Sequence, residues 1–138
     1  MTPQTDRSRA TRTLKKLSSF SFAPLEERMV PPRVNATRYG DWVGVLYDEL
    51  QEPLLLFWSK GIYVCRECCF VAFSDITKVN MNEHDLFDPL YATSILVMEG
   101  TNCHDIPVRT VTGKYRDIFE VTRFLLRCVQ DATGVVPI

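Results

Sequence analysis

The chain lacks a long apolar run. Its longest, Leu54-Leu55-Leu56-Phe57-Trp58, covers five residues, far short of the ~20 that a membrane-spanning helix needs. No apolar stretch follows the basic residues near the N-terminus, so no secretory signal is expected. Glycine is scarce: six residues, scattered among turns. That leaves no glycine-rich phosphate loop and no Walker-type lysine. A second Cys-x-x-Cys is also missing, which removes the usual four-cysteine zinc pattern. Net charge is almost absent, at −1. The hydrophobic share of 46% and the charged share of 24% are those of an average globular domain, and they exclude wholesale disorder and fibrous repeats. With 138 residues the chain is long enough for one ordinary domain but not for two.

The near-zero charge is a cancellation. Residues 1–38 carry eight basic residues (Arg7, Arg9, Arg12, Lys15, Lys16, Arg28, Arg33, Arg38) against three acids (Asp6, Glu26, Glu27). Residues 39–138 carry the other eight basic residues against fourteen acids. A basic leader on an acidic body points to a charged partner or a self-docking tail. Within the leader, Ala10, Leu14 and Leu17 recur at helical spacing, a weak stripe. Phe20, Phe22, Leu25 and Met29 are expected to pack on the body, since a free tail rarely carries such residues. The run Pro24-Leu25-Glu26-Glu27-Arg28-Met29 suits a brief helix, ended by Pro31-Pro32. The chain therefore divides into a basic, partly ordered leader, 1–38, and a main domain, 39–138.

From Tyr39 onward the pattern is that of strands. Val43, Val45 and Tyr47 alternate with Trp42, Gly44 and Leu46. Leu54 to Trp58 fits a strand buried on both faces, and Ser59-Lys60-Gly61 predicts a three-residue hairpin connection with Gly61 at positive φ. Ile62 to Cys65 returns, Arg66-Glu67 makes a tight turn, and Cys68 to Phe73 follows. Ser74-Asp75 interrupts before Thr77, Val79 and Met81. Asn82 to Pro89 reads as a polar, acidic surface loop. Tyr91 to Met98 and His104 to Val111 form another strand pair around Glu99-Gly100-Thr101-Asn102. A long helix closes the chain, with Tyr115, Ile118, Thr122, Leu125 and Val129 on one stripe, widened by Val121 and Leu126. Glu120 and Arg123 stand at pairing distance on its polar side, and Gly134 is a natural stop. The expected class is α+β, mainly β: antiparallel strands in a bent, partly open barrel or a two-sheet arrangement, capped by the C-terminal amphipathic helix.

Three stretches carry a family resemblance. Leu54-Leu-Leu-Phe-Trp-Ser-Lys-Gly-Ile-Tyr-Val64 resembles the paired strands of small pleckstrin-homology-like domains of the bacterial and GRAM type. Phe70-Val-Ala-Phe-Ser-Asp-Ile-Thr-Lys-Val79 is similar to their aromatic–polar–Asp–Ile segment. Ile95-Leu-Val-Met-Glu-Gly100, Ile106-Pro-Val108 and the helix from Asp117 to Val129 resemble their last hairpin and capping helix. The resemblance spans about residues 40–131 and rests on hydrophobic texture and turn placement. It implies a binding module for lipid head groups, peptides or proteins. The lipid-binding members present basic residues in the loop after the first strand. Here that loop, Asp48-Glu49-Leu50-Gln51-Glu52, holds three acids and no base, which repels phosphate and favours a protein partner.

The cysteines and histidines are the remaining chemistry. Cys65-x-x-Cys68-Cys69 has zinc-like spacing, and Cys103-His104 is a formal complement. Buried structural thiols, kept reduced in a cytosolic compartment, are the expected reading, with no metal and no cofactor. Cys103-His104-Asp105 holds the letters of a nucleophilic triad, but neighbours along a strand do not converge on one proton path. His84-Asp85 has the same limit. No enzyme activity is expected. Exposed aromatic and acidic residues remain as the candidate partner-binding set: Asp41, Trp42, Asp48, Glu49, Glu52, Glu83 and Asp85.

The expected function is a non-enzymatic, cytoplasmic protein-binding module. Its concrete form is an immunity-type protein whose acidic face covers a basic toxin or enzyme. The alternative is peripheral attachment to membrane or nucleic acid through residues 1–38.

Overall fold

The computed structural model describes residues 14, 17, 20–31, 36–48, 50–81, 94–108 and 115–137. Eight strands form two antiparallel sheets. The first runs in order β1 (Phe20–Ser21), β2 (Trp42–Tyr47), β3 (Pro53–Trp58), β4 (Gly61–Val64) and β5 (Cys69–Ala72). The second holds β6 (Ile76–Met81), β7 (Ser94–Glu99) and β8 (Asn102–Pro107). A single helical turn, α1 (Ala36–Tyr39), precedes β2, and the long helix α2 (Tyr115–Thr133) follows β8. Among the described residues the fold is α+β, mainly β, with two sheets, a C-terminal helix and no closed barrel. A 3-10 turn at Phe73–Asp75 makes the corner where the chain leaves the first sheet for the second. It falls at the expected Ser74-Asp75 break.

The first sheet is buried on both faces, and the apolar run of β3 is the reason. Leu55 and Phe57 face a large inner core that includes Val43, Leu46, Ile62, Val64 and Val71, together with Ile95, Val97 and Ile106 of the second sheet. Helix α2 closes that core with Ile118, Val121, Phe124, Leu125, Cys128 and Val129. Phe124 meets Phe57 edge-on at 5.7 Å between centroids, a contact worth about 0.5–1.5 kcal/mol beyond its buried area. The helix stripe read from the sequence omits Phe124 and Cys128; both lie in the buried arc, which is wider than the single row of i, i+3, i+4 positions. Gly134 ends the helix at φ +77°, its N–H donating to the Gln130 carbonyl at 2.7 Å. The Glu120–Arg123 pair forms at 3.9 Å.

The opposite face of the first sheet carries Val45, Leu56, Trp58, Tyr63, Phe70 and Ala72, covered by Met29 and Tyr39. Tyr39 stacks on Phe70 at 3.8 Å and meets the Trp58 ring edge-on at 5.3 Å. The leader thus supplies residues to both faces: Leu14, Leu17 and Phe20 join the inner core, and Met29 lies on the outer one. Phe20 and Ser21 also pair with Leu46 and Val45. The expected docking of Phe20, Phe22, Leu25 and Met29 is present, and packing runs across residue 38, where charge had drawn the boundary.

Two local readings are corrected. Val43 and Val45, expected on one face, lie on opposite faces. The register of β2 on β3 shifts between Trp42 and Gly44, and one extra residue in a strand reverses every side chain beyond it. Gly61 is not the positive-φ residue of a three-residue loop. It opens β4, paired with Trp58 across a two-residue turn, Ser59-Lys60. Glycine is needed there because a Cβ would strike the Val71 carbonyl, the Phe70 ring and the Ala72 backbone.

Gly44 likewise lets β1 approach: a Cβ there would sit 2.6 Å from both Phe20 Cζ and the Ser21 carbonyl. Gly44→Ala should lower stability by about 1–3 kcal/mol, read as a shift in the denaturation midpoint. An unchanged midpoint would show that the leader does not dock at this point.

Candidate functional site

The acidic loop between β2 and β3 is built around one carboxylate. Asp48 Oδ1 accepts the backbone N–H groups of Leu50 at 2.8 Å and Glu52 at 3.0 Å. The Asp48 N–H donates to the Glu52 carbonyl at 2.9 Å, and the Gln51 N–H to the Asp48 carbonyl at 3.0 Å. Aspartate suits the position because its short side chain reaches the N–H two residues on. Gln51 adopts φ 61° to complete the reversal. These bonds hold Leu50 outward, 77% exposed, the most exposed of the large apolar side chains.

Beside this loop lies an open groove of ≈ 480 Å³. Asp48, Leu50, Pro53 and Leu54 form one wall; Cys65 and Arg66 of the β4–β5 turn, with Pro107 of β8, form the other. The groove therefore lies where the ends of the two sheets meet. Its lining combines apolar Leu50, Pro53, Leu54 and Pro107 with the acid Asp48 and the base Arg66. A second cleft of ≈ 410 Å³ includes Arg38, Ser59, Lys60, Asp75 and Cys128. Its cations are already engaged: the Lys60 ammonium donates to the Thr37 carbonyl at 2.8 Å, and Arg38 lies 5.2 Å over the Phe70 ring.

The structure separates the residues that the sequence grouped together. Asp48 and Glu52 share the loop. Asp41 and Trp42 lie at the other end of β2, about 20 Å away along a strand of this length. Asp41 is exposed, its backbone N–H donating to Ser59 Oγ at 2.8 Å. Trp42 is half-buried rather than a free anchor. Its indole N–H donates to the Ala23 carbonyl at 2.9 Å, and its ring meets Trp58 edge-on at 5.1 Å. Glu49, Glu83 and Asp85 lie outside the described residues, as does His84.

Sequence reasoning missed the ionic link between the sheets. His104 of β8 points inward and is 6% exposed, whereas its neighbours Cys103 and Asp105 are exposed. Its Nδ1 lies 3.1 Å from Glu67 Oε1, on the β4–β5 turn, and its Nε2 lies 3.3 Å from Glu99 Oε1, at the end of β7. Glu99 is legible in retrospect, because a two-residue turn at Gly100-Thr101 brings it across the hairpin to β8. Glu67 is 37 residues away in sequence, and no local pattern announces it. Burial on its own would lower the His104 pKa; hydrogen bonds to Glu67 and Glu99, with their charges, outweigh it and hold the imidazole above its ordinary value. In the protonated imidazole both ring nitrogens donate, one to each carboxylate. Among the described residues no group of three or more His, Cys, Asp or Glu side chains is placed to share a metal ion, and none of their helices is long and apolar enough to cross a membrane.

Comparison with family models, curated proteins and solved structures finds no match to this chain.

The raised His104 pKa has a definite sign for stability. A group held above its unfolded value stabilises fully below that value, ~6.5 for histidine, and ceases to do so as pH rises through the folded pKa. Stability should therefore fall between weakly acidic and alkaline pH. His104→Gln should flatten that slope and lower stability in weak acid by on the order of 1–3 kcal/mol, as read by denaturant titration at several pH values. An unaltered slope would mean that this link does not operate.

Proposed function

We propose that this protein is a non-enzymatic binding module of the pleckstrin-homology-like kind that works in the cytoplasm by occupying a protein partner. Two antiparallel sheets with a C-terminal helix closing their shared core support the fold reading. The contact surface is the β2–β3 loop and the groove beside it. The observation that carries this is Leu50, held 77% exposed by the hydrogen bonds around Asp48. Burying such a side chain is worth about 1.5–3 kcal/mol, and a rigid loop lets a partner gain that without first ordering the chain.

The surrounding charge selects the partner's chemistry. Asp48 and Glu52 share the loop with the leucine, and Glu49 adds a third acid to that stretch of sequence. A basic protein surface with an apolar pocket complements them, and opposite charge speeds encounter and orients docking. An immunity-type role, in which this loop covers the basic cleft of a toxin or enzyme, is the specific form we favour. Attachment to membrane or nucleic acid through residues 1–38 has less support, because Leu14, Leu17 and Phe20 are held in the core and are not available for insertion.

Capture from the native cytosol, with the intact chain as bait, should return a basic protein whose binding weakens with salt. Leu50→Ser and Glu52→Lys should each weaken it by about tenfold or more, the range of an interface anchor. A partner retained equally by both variants, or binding indifferent to salt, would overturn this assignment.

A further inference from the structure

Two of the five cysteines close a single turn. β4 and β5 are joined by Cys65-Arg66-Glu67-Cys68, with Val64 and Cys69 paired at its base. The Cys68 N–H donates to the Cys65 carbonyl at 3.3 Å. This bond defines a β-turn, whose end Cα atoms lie within ~7 Å, close to the separation a disulfide spans. The Cys68 thiol donates to the Cys65 carbonyl at 3.6 Å. Cys65 follows Tyr63 by two residues and packs with it on the outer face of the first sheet. The Tyr63 hydroxyl is pushed up to about 12, first by burial and then by Cys68, its hydrogen-bond partner, and by Cys65. One phenol thus touches the surroundings of both thiols. Cys69 by contrast packs against the inner core, and Cys128 is fully buried there.

The two thiols differ in access. Cys68 is exposed and Cys65 is half-buried. Burial, with Cys68 nearby, pushes the Cys65 thiol up to about 11, so an outside disulfide meets Cys68 first. Cys68 also adopts φ 52°, in the left-handed region where glycine or asparagine is usual. The backbone there does not favour cysteine, so the residue's presence calls for a role for its sulfur.

We propose that Cys65 and Cys68 form a thiol–disulfide exchange pair that takes a low-molecular-weight disulfide such as oxidised glutathione. Cys68 gives its proton to solvent, and its thiolate attacks one sulfur of the disulfide, expelling the first thiolate. Cys65 then attacks Cys68 Sγ, its proton passing to the second thiolate as that thiolate is expelled. Two protein thiols are oxidised to one disulfide, and one small disulfide is reduced to two thiols. The turn holds Cys65 next to the mixed disulfide, so the second step is intramolecular and outruns a second external molecule.

The fully reduced, full-length protein incubated with oxidised glutathione tests this by intact mass and peptide mapping. The expected result is loss of two hydrogen atoms. Trypsin cuts after Arg66, so the Cys65 and Cys68 peptides should appear joined and should separate on reduction. Cys65→Ser should instead trap glutathione on Cys68. Cys68→Ser, and Cys68→Gly, which suits the backbone, should both leave Cys65 unmodified. A stable mixed disulfide on Cys68 of the unsubstituted protein, a link through Cys69 or Cys103, a cross-linked dimer, or no reaction would each overturn the assignment.

Discussion

The first sheet is apolar on both sides, and the rest of the molecule is arranged to cover it. Along β3, Leu55 and Phe57 face one way while Leu56 and Trp58 face the other, and all four are buried. Leaving either face in water would forfeit about 1.5–3 kcal/mol for each large side chain. One face is covered by the second sheet together with α2. The other is covered by Met29 and Tyr39, from residues that precede the first long strand. This explains why a basic leader contains Leu14, Leu17, Phe20 and Met29: these residues belong to the fold.

Covering both faces of one sheet pushes the polar chemistry to its ends. The loop between β2 and β3 and the turn between β4 and β5 emerge at the same end of the first sheet, and Pro107 of β8 arrives there from the second. Leu50, Arg66 and the Cys65–Cys68 turn are therefore neighbours because alternate connections of successive antiparallel strands emerge at one end. His104 lies at the same meeting of the sheets, tied to the β4–β5 turn by Glu67 and to its own hairpin by Glu99. The ionic link and the groove share the β4–β5 turn, so the position of that turn bears on both.

Several of these features were legible in the order of residues. The corner at Ser74-Asp75, the hairpin at Gly100, the helix from Tyr115 and its end at Gly134 all follow from local periodicity and turn chemistry. The acidic loop was also visible, as Asp48, Glu49 and Glu52. What could not be read was the state of each side chain within it. Asp48 is tied to the loop backbone, and Leu50 is left exposed as its apolar group. Trp42 looked like an interface anchor by composition, yet its indole N–H is satisfied by Ala23, from a segment nineteen residues earlier. Alternation misassigned Val43 and Val45 because a register shift is decided by pairing with β3, which the order of residues within β2 does not record.

By itself, then, the sequence determined what depends on neighbours a few residues apart: a mainly antiparallel β fold with a terminal helix, the turns between strands, and an acidic loop after β2. Tertiary structure alone decided which faces those strands bury, that the leader supplies residues to both of them, and that His104 joins Glu67 and Glu99. It also turned an absence noted at the level of composition, a net charge near zero, into a local matter of Asp48 and Arg66 lining one groove. The physical reason is range. Backbone preference and periodicity act within a turn or a strand, whereas burial and ion pairing act between segments that only the folded chain brings together.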